Sequence, residues 1–185
     1  MHDMFEITVS LPMKGHTAET LRNLINLFYA RSGLLNKALG TSFRVDEGLV
    51  NALRDDSCVL NLDKLFETVE AYEGEHDKAA DGLTIEPEKI TFSTLPATND
   101  PAILRTFTTL CAMMNKQALT QKHIRPARIR EENERFSMRV WLLRMGMVGP
   151  EYGEDTRILM QRLSGEWGPY RSQAVGTSPD GTKED

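Results

Sequence analysis

The sequence predicts an α+β fold, in which helices cover one face of a small, mostly antiparallel sheet. The stretch MFEITVSLP near the beginning alternates apolar and polar residues, as a strand with one buried face does. Residues 18–39 and 100–119 each carry apolar side chains at helical spacing. Between them, residues 83–94 have the pattern of a hairpin. The order strand, helix, hairpin, helix is that of a ferredoxin-like β-α-β-β-α core.

The two long helices carry recognisable end signals. Thr17 is placed as an N-cap, and Gly40 is placed as the residue that follows a helix C-terminus. Asp100 and Pro101 begin the later helix, because a proline at the first helical position gives up an amide that would have no partner there. We therefore expect a helix of about this length at each position.

Shorter elements are predicted around this core. SFRV is expected to form a short strand, residues 62–72 a helix, and the polar stretch EGEHDKAADG a loop. HIRPARIR is expected to be an edge strand, because Pro126 would be poorly tolerated in a central strand. Residues 132–145 and 150–163 are predicted helices, which a glycine turn joins into a C-terminal αα-hairpin.

Length and composition indicate one ordinary globular domain. We predict a single α+β domain over residues 1–171 and a disordered tail over residues 172–185. No run approaches the ~20 apolar residues of a membrane span, and the N-terminus lacks the pattern of a secretion signal. Cys58 and Cys111 stand apart, without metal-type spacing. We therefore expect a cytoplasmic protein with reduced thiols, with no membrane association and no cofactor.

The usual catalytic and metal-binding motifs do not occur in this sequence. It has no serine-hydrolase elbow, Walker loop, dinucleotide fingerprint or EF-hand loop, and its four histidines lie far apart. Cys111 and His123 could in principle form a nucleophile pair, but Cys111 falls on an apolar helical stripe, where a buried and inert thiol is expected. We assign no catalytic, cofactor-binding or metal-binding residue, and the sequence favours a protein that is not an enzyme.

The net charge of −5 conceals a marked asymmetry. Residues 46–88 hold 13 acidic and 3 basic side chains, whereas the rest of the chain holds 14 acidic and 19 basic ones. A solvated acidic face is the simplest interpretation of the acidic part. The alternative is an acidic mimic that inhibits a host factor which binds DNA.

A basic segment, residues 116–144, follows the second long helix. Its first fifteen residues hold five lysines and arginines and no acidic side chain. Basic side chains that can meet phosphates are the first requirement for nucleic-acid binding. The candidate nucleic-acid-binding residues are Lys122, Arg125, Arg128, Arg130, Arg135 and Arg139. The first fifteen residues of the segment lack aromatic residues on which single-stranded bases could stack, and a merely solvated basic edge remains the alternative.

The turn MGMVGPEYG has the length of a helix-turn-helix connection. In that motif, the first residues of the second helix face bases and phosphates. Here those positions include Glu151, Glu154 and Asp155, which suit a helix N-terminus but repel phosphate. The sequence therefore predicts a packed corner between two helices and not a reader of DNA.

The same segment carries a resemblance to a known family. RFSMRVWLLRMGMVGPEYGEDTRILMQRLSG, followed by an aromatic residue and Arg171, resembles the C-terminal signature of the virulence-related proteins that conjugative transposons of Gram-positive gut bacteria encode. VSLPMKGHTAETLRNLINLFYARSGLLNKALG resembles the first strand and helix of that family. The resemblance covers most of residues 5–171. The chain departs from the pattern at Pro150 and Gly153, where the family usually has Asp and Lys.

The resemblance implies an uncharacterised accessory protein of a mobile genetic element, cytoplasmic in the host, and it carries over no catalytic residue. We therefore predict a non-enzymatic accessory or interaction protein. Nucleic-acid binding by the basic segment and acidic mimicry stay open as alternatives. The expected partner is a protein, while nucleic acid and a second copy of the chain remain open.

Overall fold

A computed structural model describes residues 6–128 and 132–166. The strands are β1 (Glu6–Pro12), β2 (Arg44–Val45), β3 (Ala80–Asp81), β4 (Leu83–Ile85) and β5 (Lys89–Pro96). The α-helices are α1 (Ala18–Leu39), α2 (Glu47–Ala52), α3 (Leu62–Glu75), α4 (Pro101–Thr120), α5 (Glu134–Met145) and α6 (Gly153–Met160). Short 3₁₀ turns occupy residues 56–59 and 150–152. The predicted tail, residues 172–185, lies outside the described residues.

The main sheet has three strands in the order β1-β5-β4, and both strand pairs are antiparallel. In the hairpin, Leu83 pairs with Phe92 and Ile85 with Ile90, as the sequence predicts. Strands β2 and β3 form a separate antiparallel pair. The α+β class with a small antiparallel sheet is confirmed. The ferredoxin-like arrangement is not, because that fold completes its sheet with a fourth strand and the described residues supply three.

A β-bulge interrupts the pairing of β1 with β5. Ile7 pairs with Leu95 and Val9 with Phe92, so β5 contains one residue more than β1 over the same interval. Thr94 absorbs the extra residue with a φ of 70° in the left-handed region. As a result Phe92 and Leu95 are both buried, although three positions separate them.

Helix α1 is the centre of the core, and its predicted limits are confirmed. Thr17 and Thr20 form a capping box at its start, and Gly40 ends it with a φ of 69°. Midway along the helix, the ring of Phe28 lies edge-on to Phe43 at 5.0 Å and contacts Phe92 of the sheet at 5.5 Å. Helix α1 therefore packs on the sheet through Phe92 and on the segment that follows the helix through Phe43.

The predicted edge strand after α4, residues 123–130, is wrong over residues 123–128, and its last two residues lie outside the described part of the chain. Residues 123–128 belong to no strand, and asparagine side chains of α1 pair with the backbone of this segment. Asn23 donates to the carbonyl of Gln121 at 2.8 Å and accepts from the amide of Ile124 at 3.0 Å. Asn26 donates to the carbonyl of Ile124 at 3.0 Å. Three backbone groups of the segment are therefore paired by side chains of α1 and not by a neighbouring strand.

The predicted loop EGEHDKAADG is also partly wrong. Helix α3 continues to Glu75, and Ala80–Asp81 pairs with Arg44–Val45. The pairing is reinforced by the Arg44 guanidinium, which donates to Asp81 at 2.8 Å. The short helix α2 carries too few residues to show a period and was not predicted. Within the described ranges, none of the helices has the length and hydrophobicity needed to cross a membrane.

Candidate nucleic-acid interface

The segment of residues 121–128, fixed by the two asparagines of α1, has a depression on each side. The larger one, which we call the cationic cleft, has a volume of about 900 Å³. Its charged or titratable lining residues are Glu19, Arg22, Arg54, Asp56, Lys122, His123 and Arg125. They come from α1, from the turn after α2 and from the segment itself. The cleft thus collects side chains that lie far apart in the sequence.

Arg22 is the most enclosed cation of the cleft, with 14% of its side chain exposed. One terminal nitrogen of its guanidinium donates to Asp56 at 2.8 Å and to the carbonyl of Leu53 at 3.3 Å. Its Nε is buried without a hydrogen-bond partner in the described structure. These contacts hold the guanidinium in the wall of the cationic cleft and pair it with Asp56. Among the described residues, the buried Nε–H still lacks the acceptor that a buried donor requires.

The smaller depression, which we call the side crevice, has a volume of about 280 Å³. Arg31, Arg125 and Arg144 line it together with uncharged residues, and no carboxylate belongs to its described lining. The guanidinium of Arg31 lies over the ring of Trp141, 4.9 Å from the ring centre. Arg125 and Ala127 border both depressions, so the two adjoin each other along this part of the segment.

Two of the six predicted binding residues, Lys122 and Arg125, meet in the cationic cleft. Arg130 lies outside the described residues. Among the described lining residues of the two depressions, six cations face two carboxylates, which gives them a net charge of +4 in a chain whose net charge is −5. This surface therefore has the opposite sign to the whole protein.

The other three predicted residues line neither depression. Arg128 lies over Tyr29 of α1, with its guanidinium 4.7 Å from the ring centre. Arg135 is half-buried and donates to the carbonyl of Gly165 at 3.5 Å. Arg139 is exposed on α5. The predicted basic segment thus divides between at least two surfaces.

Sequence reasoning missed Arg22, Arg31 and Arg54. They precede the basic segment by about 60 to 95 residues, and no local pattern links them to it. One sequence signal of this arrangement lies in α1, where asparagines stand among apolar residues. Buried amides need hydrogen-bond partners, and here the partners are backbone groups of residues 121–124. That pairing decides which side chains approach Lys122 and Arg125.

The C-terminal corner does not contribute to this surface. Helix α5 ends at Gly146 with a φ of 90°, and the next helix packs its first turn on α4. There Asp155, which is buried, accepts a hydrogen bond from Thr106 at 2.6 Å, and Glu154 pairs with Arg105 at 2.5 Å. The carboxylates at the start of α6 thus hold two helices together.

Two observations on the described residues concern catalysis. Burial strongly raises the pKa of the Cys111 thiol, so it stays protonated and weakly nucleophilic at neutral pH. Over residues 6–128 and 132–166, no three histidine, cysteine or acidic side chains converge to hold a metal ion.

Comparison of the chain with protein-family models, with curated proteins and with solved structures finds no match.

Proposed function

We propose that this chain is a non-enzymatic accessory protein that binds nucleic acid along the cationic cleft and the side crevice. One observation carries the proposal: two adjoining depressions share Arg125 and hold six cations against two carboxylates. Phosphates supply most of the affinity of proteins for nucleic acid, and they are met by lysine and arginine side chains. A positively charged surface on a protein of negative net charge is suited to binding a polyanion.

The nature of the lining favours contact with the sugar–phosphate backbone over contact with bases. Trp141 is only 1% exposed beneath Arg31, and Tyr29, which is 7% exposed, is covered by Arg128. Neither ring offers a free face on which a base could stack. The segment between the depressions is not helical, so it is not a recognition helix for the major groove. Backbone contacts position a protein on a duplex with little choice of sequence.

The test is a salt titration of binding. Fluorescence anisotropy of a labelled duplex and of its single strand is measured with the full chain at several sodium chloride concentrations. We expect affinity to fall steeply with salt, and Lys122→Ala with Arg125→Ala and Arg144→Ala to weaken duplex binding by more than about tenfold at low salt. The slope of log affinity against log salt should fall by about three, one for each phosphate contact removed.

The control removes the same charge elsewhere. Lys14, Lys64 and Lys89 are exposed lysines that line neither depression, and the triple alanine variant at these positions also lowers the net charge by three. Equal weakening by both triple variants would show a general charge effect and would contradict the proposed interface. Absence of binding at low salt would remove the proposal altogether.

We propose further that this protein serves a mobile genetic element in the cytoplasm of its host. The support is the resemblance of residues 135–165 to the C-terminal signature of the conjugative-transposon family. The order β1-β5-β4, with both strand pairs antiparallel, supports a ferredoxin-like core as part of the same proposal, although residues 44–81 insert further elements between α1 and the hairpin. Conjugation genes beside the coding sequence are the expected observation, and a neighbourhood of unrelated housekeeping genes would count against this setting.

A further inference from the structure

A pocket of about 330 Å³ lies under α3, apart from the cationic surface. Helix α3 forms one wall and β4 another, while α1, α2 and β2 contribute the floor. The apolar lining residues are Ile25, Val45, Leu49, Leu65, Phe66, Val69, Ala79, Ala80, Leu83 and Ile85. This volume is at the lower end of the range for small-molecule sites, which are mostly apolar with a few polar groups.

Helix α3 packs on the core through a row of partly buried residues that includes Leu62, Phe66 and Val69, and the pocket lies along this face. Leu65 is its one buried residue, whereas Phe66 and Val69 in the middle are half-buried. Near the other end, the Tyr72 hydroxyl packs so closely on Gly48 that a Cβ there would lie 2.4 Å from it. This close approach limits how far the C-terminal end of α3 can move toward the core.

Carboxylates give the mouth of the pocket its charge. Glu73, Asp77 and Lys78 are the charged residues of the lining. Lys78 is already paired, since its ammonium lies 2.8 Å from Asp81. Neither Glu73 nor Asp77 takes part in an ion pair among the described residues. The mouth therefore presents two uncompensated negative charges above an apolar interior.

We propose that this pocket binds a small molecule that has an apolar body and one cationic amine head. The body lies between Phe66, Val69 and Leu83, and the ammonium group lies at Glu73 and Asp77. An apolar body gains from removing its surface from water, and a charged head needs carboxylates that are not already neutralised. Part of the acidic stretch of residues 46–88 thereby acquires a defined role in recognition.

The experiment compares three ligands of one shape. Phenylbutylamine, phenylbutanol and phenylbutyrate are titrated into the full chain by calorimetry, with chemical-shift mapping to locate the site. We expect the amine to bind about tenfold more tightly than the alcohol, and the acid to bind more weakly than both. Equal affinities for the amine and the alcohol, or shifts confined to another part of the protein, would overturn the proposal.

Two variants separate the charge from the cavity. Glu73→Gln with Asp77→Asn changes exposed side chains, so the fold is retained, and it should lower amine affinity about tenfold while leaving the alcohol unchanged. Val69→Trp should fill the pocket and abolish binding of both. The matched control is Glu70→Gln with Glu75→Gln, which removes two exposed carboxylates of the same helix outside the lining. An equal loss in this control would contradict the assignment of Glu73 and Asp77.

Discussion

Replacement of Gly82 by alanine is expected to lower the free energy of unfolding by about 3 kcal/mol. A Cβ at this position would lie 2.1 Å from Cδ1 of Phe43, which is buried, and the φ of 87° is unfavourable for any side chain. Phe43 has little room to retreat, because its ring packs against Phe28 at 5.0 Å and Phe107 at 6.3 Å. Chemical denaturation followed by circular dichroism measures the loss.

Gly74→Ala is the matched control for this substitution. Gly74 lies in α3, where an added Cβ would meet no atom within 4 Å, and its φ is not in the left-handed region. Alanine is the better helix former, so this variant should gain up to about 1 kcal/mol. The same exchange thus has opposite signs at the two sites. A loss below about 1 kcal/mol at Gly82 would show that Phe43 can move, contrary to the packing argument.

Removal of the Glu134 carboxylate should be the second large effect. The side chain is 5% exposed at the first residue of α5, where it contacts the Lys37 ammonium and accepts from the Ser164 amide at 2.8 Å. These contacts attach the chain after α6 to the start of α5 and to α1. We expect Glu134→Ala to cost about 2 kcal/mol, because the partners lose a charged acceptor. Glu132→Gln, at an exposed position two residues earlier, should change little.

The pH dependence of stability tests the same contact. Burial raises the pKa of Glu134, but the Lys37 ammonium and the Ser164 hydrogen bond together outweigh it and hold this pKa below its usual value. The stabilisation is therefore present above the pKa of the unfolded chain and is lost as the pH falls through the lower folded pKa. The difference in unfolding free energy between wild type and Glu134→Gln should be largest near neutral pH and shrink below about pH 4. A difference that is constant with pH would contradict the charged contact.

Much of the fold follows from local signals, and the exceptions have a common cause. Helices α1 and α4 could be delimited because Thr17 and Asp100 cap them and an apolar period runs along both. The pairing of β2 with β3 could not be predicted, since it involves Arg44 and Asp81, which lie 37 residues apart. Pattern analysis detects what neighbouring residues impose on one another, and it does not detect bonds that form only after the chain has folded.

The candidate interface was predictable in part for the same reason. Lys122 and Arg125 stand in a visibly basic stretch, and the cationic cleft includes both. The path of that stretch is set by Asn26, whose amide reaches the carbonyl of Ile124 across 98 residues. This path brings Lys122 and Arg125 beside Arg22 of α1, while Arg128 lies over Tyr29.

The bulge at Thr94 also determines how the central strand can align. A strand with strict alternation can slip by two residues and still present the same face to the core. Strand β5 cannot, because Phe92 and Leu95 are an odd number of residues apart and a single alignment buries both. A slipped hairpin would therefore expose at least one of them to water. The extra residue therefore fixes the register of the sheet, and through β4 it also holds Leu83 and Ile85 in place at the wall of the pocket under α3.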